Sequence, residues 1–265
     1  MEIGVSTASF FGKKYTEQAY DELNRLGIPV CETFLSTFME YEKDFVDLLL
    51  EKKGDLQVYS VHALTSQFEP QLYNLSDRTR ADALKIFDKV IEAGTRLGAK
   101  VFTFHGAVAL KKTSYCDMER VGKITENLVN RAKEKGIDLA YENVHWSYYN
   151  YPEFIEKLSN YAPSVKTCLD IKQAMQSGID YRDYLKFMKG KLVNVHLCDY
   201  DASGKLSVCG KGDFDFYELF CRLIDVGYDG AAIMELYSKD YGDFDEIKAG
   251  YEYLLNIYEK AKRVR

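Results

Sequence analysis

A (β/α)8 barrel is the fold class this sequence predicts, on three observations. Short β-like runs alternate with long amphipathic stretches along the whole chain, there are eight of each, and glycine recurs just past the helical stretches. The chain has 265 residues, a length that suits one such barrel as a single domain spanning residues 1–265.

The elements follow in order. The run Ile3–Thr7 reads as the first strand, followed by a helical stretch Thr16–Leu26 with Thr at its cap and Gly27 at its end. Val30–Phe34 leads to Tyr41–Lys52, which ends near Gly54. Val58–Leu64 leads to Asp77–Leu97, stopped by Gly98, and Val101–His105 to Asp117–Lys135, stopped by Gly136. Asp138–Asn143 precedes Tyr151–Asn160, which carries Pro152 in its first turn. Lys166–Ile171 precedes Tyr181–Met188 and Gly190, and Leu192–Cys198 precedes Asp215–Val226 and Gly227. Ala231–Leu236 and Phe244–Lys262 close the chain. Strands separated by helices form a parallel sheet through right-handed crossovers, and eight units in this length favour closure over an open sheet.

Composition narrows the partners. Hydrophobic residues make up 46% and charged residues 29%, which is globular composition. A net charge of -6 disfavours nucleic acid, whose phosphates call for a basic face. No apolar run reaches membrane-spanning length, and the first residues lack the basic and apolar regions of a secretion signal, so a cytoplasmic protein without a membrane partner is expected. The six cysteines include no C-x-x-C pair and read as buried free thiols.

The chemistry gathers at the strand ends. Six strands finish in a metal-competent side chain: His62, His105, Glu142, Asp170, His196 and Glu235. Strand side chains alternate, so the residues two positions earlier, Ser60, Thr103, Ala140, Cys168, Asn194 and Ile233, share their face. Most of these are small or polar, as a narrow barrel interior requires. The residues between, Val61, Phe104, Tyr141, Leu169, Val195 and Met234, are large and suit packing on the outer helices. All six ionisable groups therefore point inward and meet at the C-terminal mouth. Three carboxylates brought together need a cation, and no Lys or Arg stands at these strand ends. A divalent metal is expected; the O/N donor set suits Mn²⁺, Mg²⁺ or Co²⁺, with Zn²⁺ competing through the extra histidines. Three of the four histidines in the chain fall at these positions.

These residues resemble the xylose isomerase-like TIM barrel superfamily, which groups sugar isomerases and epimerases with endonuclease IV. The resemblance rests on Ala93-Gly94-Thr95-Arg96-Leu97-Gly98-Ala99-Lys100 leading into His105-Gly106, then on Tyr141-Glu142-Asn143, Leu169-Asp170, Val195-His196-Leu197-Cys198-Asp199, Gly210-Lys211-Gly212-Asp213, and Gly227-Tyr228-Asp229-Gly230 running to Glu235. Likeness to ketose 3-epimerases implies one metal, most often Mn²⁺, on Glu142, Asp170, His196 and Glu235, with the two glutamates as the acid/base pair. It implies an isomerase or epimerase of a small sugar or keto-polyol, working by proton abstraction next to a carbonyl. A dehydratase of a keto-polyol and a non-catalytic sugar-binding barrel are the alternatives. His62 and His105 match additional zinc ligands of endonuclease IV and stand here as further metal or substrate groups. Gln173 replaces a zinc-binding His of the nuclease, and Asp213-Phe214-Asp215 departs from its Asp-x-His, so abasic-site cleavage is disfavoured.

Substrate-contact candidates are Trp146, His145, Asp199 and Lys211. Trp146 is either an aromatic platform for a sugar or a packing residue. His145 is either a contact at the mouth or a surface group. Asp199 either bonds a sugar hydroxyl or caps the following segment, and Lys211 sits between two glycines that a plain turn also explains. Glu32 points to the mouth on register, in support of the ring. Pairing into a homo-oligomer is common for such barrels.

Overall fold

The computed structural model describes residues 1–109 and 116–265. Eight parallel strands close into a barrel: β1 (Glu2–Ser6), β2 (Val30–Leu35), β3 (Gln57–Ala63), β4 (Val101–Phe104), β5 (Asp138–Glu142), β6 (Lys166–Asp170), β7 (Leu192–Leu197) and, after the short antiparallel ribbon β8 (Asp199–Tyr200) and β9 (Leu206–Ser207), β10 (Ala231–Met234). β10 pairs with β7 on one side and β1 on the other, completing the ring.

The predicted phase holds. Val61, Phe104, Tyr141, Leu169, Val195 and Met234 lie in the large core between sheet and helices. Ala140, Cys168 and Ile233 instead join Val30, Tyr59, Val101 and Ala231 in a small cluster inside the barrel. The Tyr59 hydroxyl donates to the Val193 carbonyl at 2.7 Å, so this bulky ring is anchored as it fills the base.

The helices are α1 (Thr16–Leu26), α2 (Lys43–Lys52), α3 (Glu69–Leu72), α4 (Asp77–Leu97), α5 (Met118–Glu134), α6 (Phe154–Ser159), α7 (Ile171–Gln176), α8 (Tyr181–Met188), α9 (Phe216–Asp225) and α10 (Phe244–Val264). Each long one buries an apolar stripe; α9, for example, buries Phe216, Leu219, Phe220 and Leu223 at three- and four-residue spacing. Side chains of Ser76, Asp117, Asp180, Asp215 and Asp243 cap α4, α5, α8, α9 and α10, each cap contributing about 1 kcal/mol. All five predicted glycine stops adopt positive φ.

Three readings change. Thr16 does not cap α1: its hydroxyl donates to the Phe34 carbonyl at 3.2 Å, and Tyr15 is the cap residue. The stretch read as a helix over Tyr151–Asn160 is helical only over Phe154–Ser159. Two short helices at the mouth, α3 and α7, carry too few residues to show a helical period and were not expected. No helix among the described residues is long and apolar enough to cross a membrane.

Candidate metal centre

The ends of β5, β6 and β7 and the residue after β10 deliver Glu142, Asp170, His196 and Glu235 to one point. One donor atom from each lies within 4.8 Å of the others. Glu142, Asp170 and His196 are almost wholly buried, yet Glu142 Oε2, Asp170 Oδ2 and His196 Nδ1 have no hydrogen-bond partner. Buried polar atoms are normally satisfied, and three without a hydrogen bond in one cluster of donors could be satisfied by a cation. His196 Nδ1 lies 3.5 Å from Glu142 Oε1 and 3.7 Å from Glu235 Oε2. Three carboxylates and one imidazole are a donor set that hard and borderline divalent ions accept.

Neighbouring side chains orient each donor. Asp170 Oδ1 accepts from the Gln173 N–H at 2.9 Å, capping α7 and leaving Oδ2 without a hydrogen bond. Asn143 clamps β5 to β6: its amide donates to the Asp170 carbonyl at 2.9 Å and accepts from the Asp170 N–H at 2.8 Å. His196 Nε2 faces Glu32 Oε2 at 3.1 Å, so Nε2–H donates to the carboxylate and Nδ1 turns to the ring. Glu32 Oε2 also accepts from Ser60 Oγ at 2.8 Å, Thr103 Oγ1 at 2.9 Å and Asn194 Nδ2 at 3.0 Å. Sequence register had placed Glu32 at the mouth, and it lies inward of the ring, beneath His196.

His62 and His105 complete a second group with Glu142, again with donor atoms within 4.8 Å. His62 Nδ1 bonds the Thr103 carbonyl at 2.9 Å, which makes Nδ1 the protonated nitrogen and leaves Nε2 free. His105 Nε2 lies 3.4 Å from Glu142 Oε2. On its other side Nδ1 meets the Thr65 hydroxyl and lies 3.4 Å from the fully buried Glu69, whose Oε2 accepts the His105 backbone N–H at 3.0 Å.

The substrate-contact candidates divide. Trp146 lies beside His105 with ring centroids 5.0 Å apart, and His145 Nδ1 meets Gln173 Oε1 at 2.6 Å. Asp199 is committed to its own loop, accepting backbone N–H groups of Tyr200, Gly210, Gly212 and Phe214 at 2.8–3.1 Å. Lys211 is half exposed and pairs with Glu246 at 2.7 Å, away from the ring.

Sequence reasoning missed Lys172. Its Nζ lies 3.1 Å from Glu235 Oε2 and 3.6 Å from Asp170 Oδ2, with only 2% of the side chain exposed. The expectation that no Lys or Arg reaches these strand ends is therefore corrected: the first turn of α7 bends a lysine back into the site. One signal was present. A lysine in the first turn of a helix opposes the helix dipole and calls for another partner.

The electrostatics follow from burial and this close grouping. Burial pushes the Glu142 carboxyl up, but His196 and then His105 hold it down at about 2. Burial likewise opposes Glu235, which Lys172 and His196 keep at about 2. Asp170 goes the other way: burial, reinforced by Glu142 and Glu235, prevails over the pull of Lys172 and raises it to about 7. Burial would lower His196, yet its pKa is raised; Cys168 is too deeply buried to ionise, so Glu32, Glu235 and Glu142 carry that effect.

The chain belongs to the xylose isomerase-like TIM barrel family, whose model matches residues 20–257. No curated protein matches it by sequence. Among solved structures it is similar to a D-tagatose 3-epimerase-like protein (18% identity, 98% of this chain and 99% of the other covered, TM-score 0.80). It is also similar to an L-ribulose 3-epimerase (17% identity, 99% and 96% covered, TM-score 0.77). A 3-keto-D-glucoside 4-epimerase from E. coli is a further neighbour (15% identity, 97% and 99% covered, TM-score 0.76). At these identities the likeness carries the fold.

Proposed function

We propose that the protein is a divalent-metal-dependent isomerase or epimerase of a small sugar or keto-polyol. The observation that carries this reading is the convergence of one donor atom each from Glu142, Asp170, His196 and Glu235, three of these side chains holding a buried polar atom with no hydrogen-bond partner. Solved neighbours that are named as sugar epimerases support it. The four residues hold the ion, with Mn²⁺ as the leading choice and Mg²⁺, Co²⁺ or Zn²⁺ able to occupy the same donors. When bound, the metal supplies Lewis-acid polarisation of the substrate's carbonyl and hydroxyl oxygens, which acidifies the neighbouring C–H.

The protein's own groups move the proton. Glu142 and Glu235 are both held ionised, so each is competent to accept a proton from a carbon placed between them. One carboxylate takes the proton from one face; the other first takes up a proton from solvent at the mouth and then delivers it to the opposite face, which inverts that carbon. Lys172, against Glu235, fixes that carboxylate's position and offsets part of the charge of the ring. His62, His105 and Trp146 line the adjoining wall, where they meet substrate hydroxyls and a ring face. Gln173 holds His145 where the nuclease pattern needs a ligand, which supports sugar chemistry over phosphodiester cleavage.

The test is proton exchange. Metal-loaded protein is incubated in D₂O with ketoses, aldoses and keto-polyols, and the small molecules are read by NMR. Deuterium next to the carbonyl is expected in the wild type and not in Glu142→Gln; a product that has lost water would identify a dehydratase instead. Normal turnover by Glu142→Gln would remove the acid/base assignment.

A further inference from the structure

Beside the metal centre, the loops that follow β1 and β2 enclose a groove of about 450 Å³, within the range of about 300–1,000 Å³ for small-molecule sites. The groove adjoins the centre through one side chain. The Phe34 ring packs on His62 at 5.6 Å on one side and edge-on against Phe11 at 5.7 Å on the other. Its backbone is fixed, with the N–H donating to Thr7 Oγ1 at 2.8 Å and the carbonyl accepting from Thr16 Oγ1 at 3.2 Å.

Two aromatic rings in the groove stand in water. Phe11 is 53% exposed and Tyr15 71% exposed, although both belong to loops at the mouth of a site. The charged groups have partners within the protein. Lys13 donates to the Tyr241 carbonyl at 3.1 Å and lies over the Tyr241 ring, and Lys14 lies over the Phe244 ring. The Glu40 carboxylate accepts the Ser36 and Thr37 N–H groups and the Ser36 and Thr16 hydroxyls. Beside these lysines a ligand meets aromatic surface with neutral polar groups at its edge. That combination suits an uncharged sugar ring, which sets its C–H face on an aromatic and its hydroxyls on the rim.

We propose that this groove is a subsite for a second sugar ring, so that the substrate is a glycosylated keto sugar. Its keto ring sits at the carboxylate–histidine centre, and its second ring lies against Phe11 and Tyr15. The placement of the reacting end rests on the function proposed above; the groove's preference for a neutral ring does not.

Saturation-transfer NMR on the metal-loaded protein tests it, with fructose, lactulose and isomaltulose as probes. Transfer to protons of the non-ketose ring is expected, with a dissociation constant about tenfold tighter for at least one disaccharide than for fructose. Phe11→Ala/Tyr15→Ala, with its fold checked by circular dichroism, is expected to bring the two constants within about threefold. Equal affinities in the wild type, or no transfer to the second ring, would overturn the subsite. So would self-association lost in the double variant while sugar binding is unaltered, which would make the patch a contact between copies. Deuterium incorporation from D₂O is read in the same samples. Second-ring contacts without exchange would support the subsite and remove the proposed reaction; exchange with fructose and no second-ring contact would do the reverse.

Discussion

A single oxygen, Glu32 Oε2, receives hydrogen bonds from Ser60, Thr103, Asn194 and His196. It settles which imidazole nitrogen faces the ring, so the orientation of that donor is decided one layer below it. Period-two alternation made the ring legible, because each donor ends a strand whose inner and outer faces differ in size. Lys172 was not legible in that way: it lies outside the strands, and only the turn of α7 returns its ammonium to Glu235. Replacing it by Met leaves the carboxylates without that cation. The metal-free protein is then expected to lose about 3–5 kcal/mol, and the rise in Tm on adding Mn²⁺ should exceed that of the wild type. An equal rise would mean that the ammonium does not balance the ring. Asp170 contributes to the pH dependence. Its folded pKa is raised to about 7, so below that pH a proton must leave before the carboxylate can bind an ion. The His196 imidazolium, whose pKa is raised as well, must also lose a proton before Nδ1 can bind, so metal affinity should strengthen as pH rises through 7 and continue to strengthen above it. In the metal-free protein Asp170 costs stability as pH rises from about 4, its unfolded value, to about 7. Calorimetric titration with Mn²⁺ between pH 5.5 and 8 checks the first statement; an affinity that is flat across that range would contradict it.

At the level of elements, the eight strands and the long helices were readable because each carries enough residues to display its period and most end in a glycine. The remaining elements are short and take their shape from tertiary partners. α7 begins where Asp170 caps it, and α3 carries Glu69 to His105, a contact no local pattern announces. The junction after β4 shows how tightly such a loop is held. Gly106 follows His105 with φ +75°, and a Cβ there would overlap the Tyr141 ring. That ring cannot withdraw freely, because its hydroxyl is bonded to Tyr73 and, at 2.7 Å, to Thr125. Gly106→Ala combines a left-handed conformation costing about 1–2 kcal/mol with overpacking of about 1–3 kcal/mol. Urea unfolding should show a loss of about 2–5 kcal/mol from these two sources. A loss under 1 kcal/mol would mean that the Tyr141 layer yields.

At the scale of the whole molecule, the centre exists only when the barrel is closed. Its four donors are spread from Glu142 to Glu235 in sequence, so the unfolded chain offers no assembled site. A divalent ion should then bind the native state and raise stability by mass action, about 2.7 kcal/mol at a free concentration one hundred times its Kd. For a domain of this size that corresponds to about 5–11 °C in Tm. Excess chelator should lower the Tm of metal-loaded protein by the same amount, and His196→Ala should abolish most of the response. His62→Ala separates the two groups that share Glu142. His62 belongs to the outer group, and its Nδ1 is engaged with the Thr103 carbonyl. If the ion sits on Glu142, Asp170, His196 and Glu235, the His62 variant keeps most of the metal-induced shift and most of its bound metal by elemental analysis. Complete loss of both, with the metal-free fold intact, would place an ion on His62, His105 and Glu142 and make the centre one of more than a single metal.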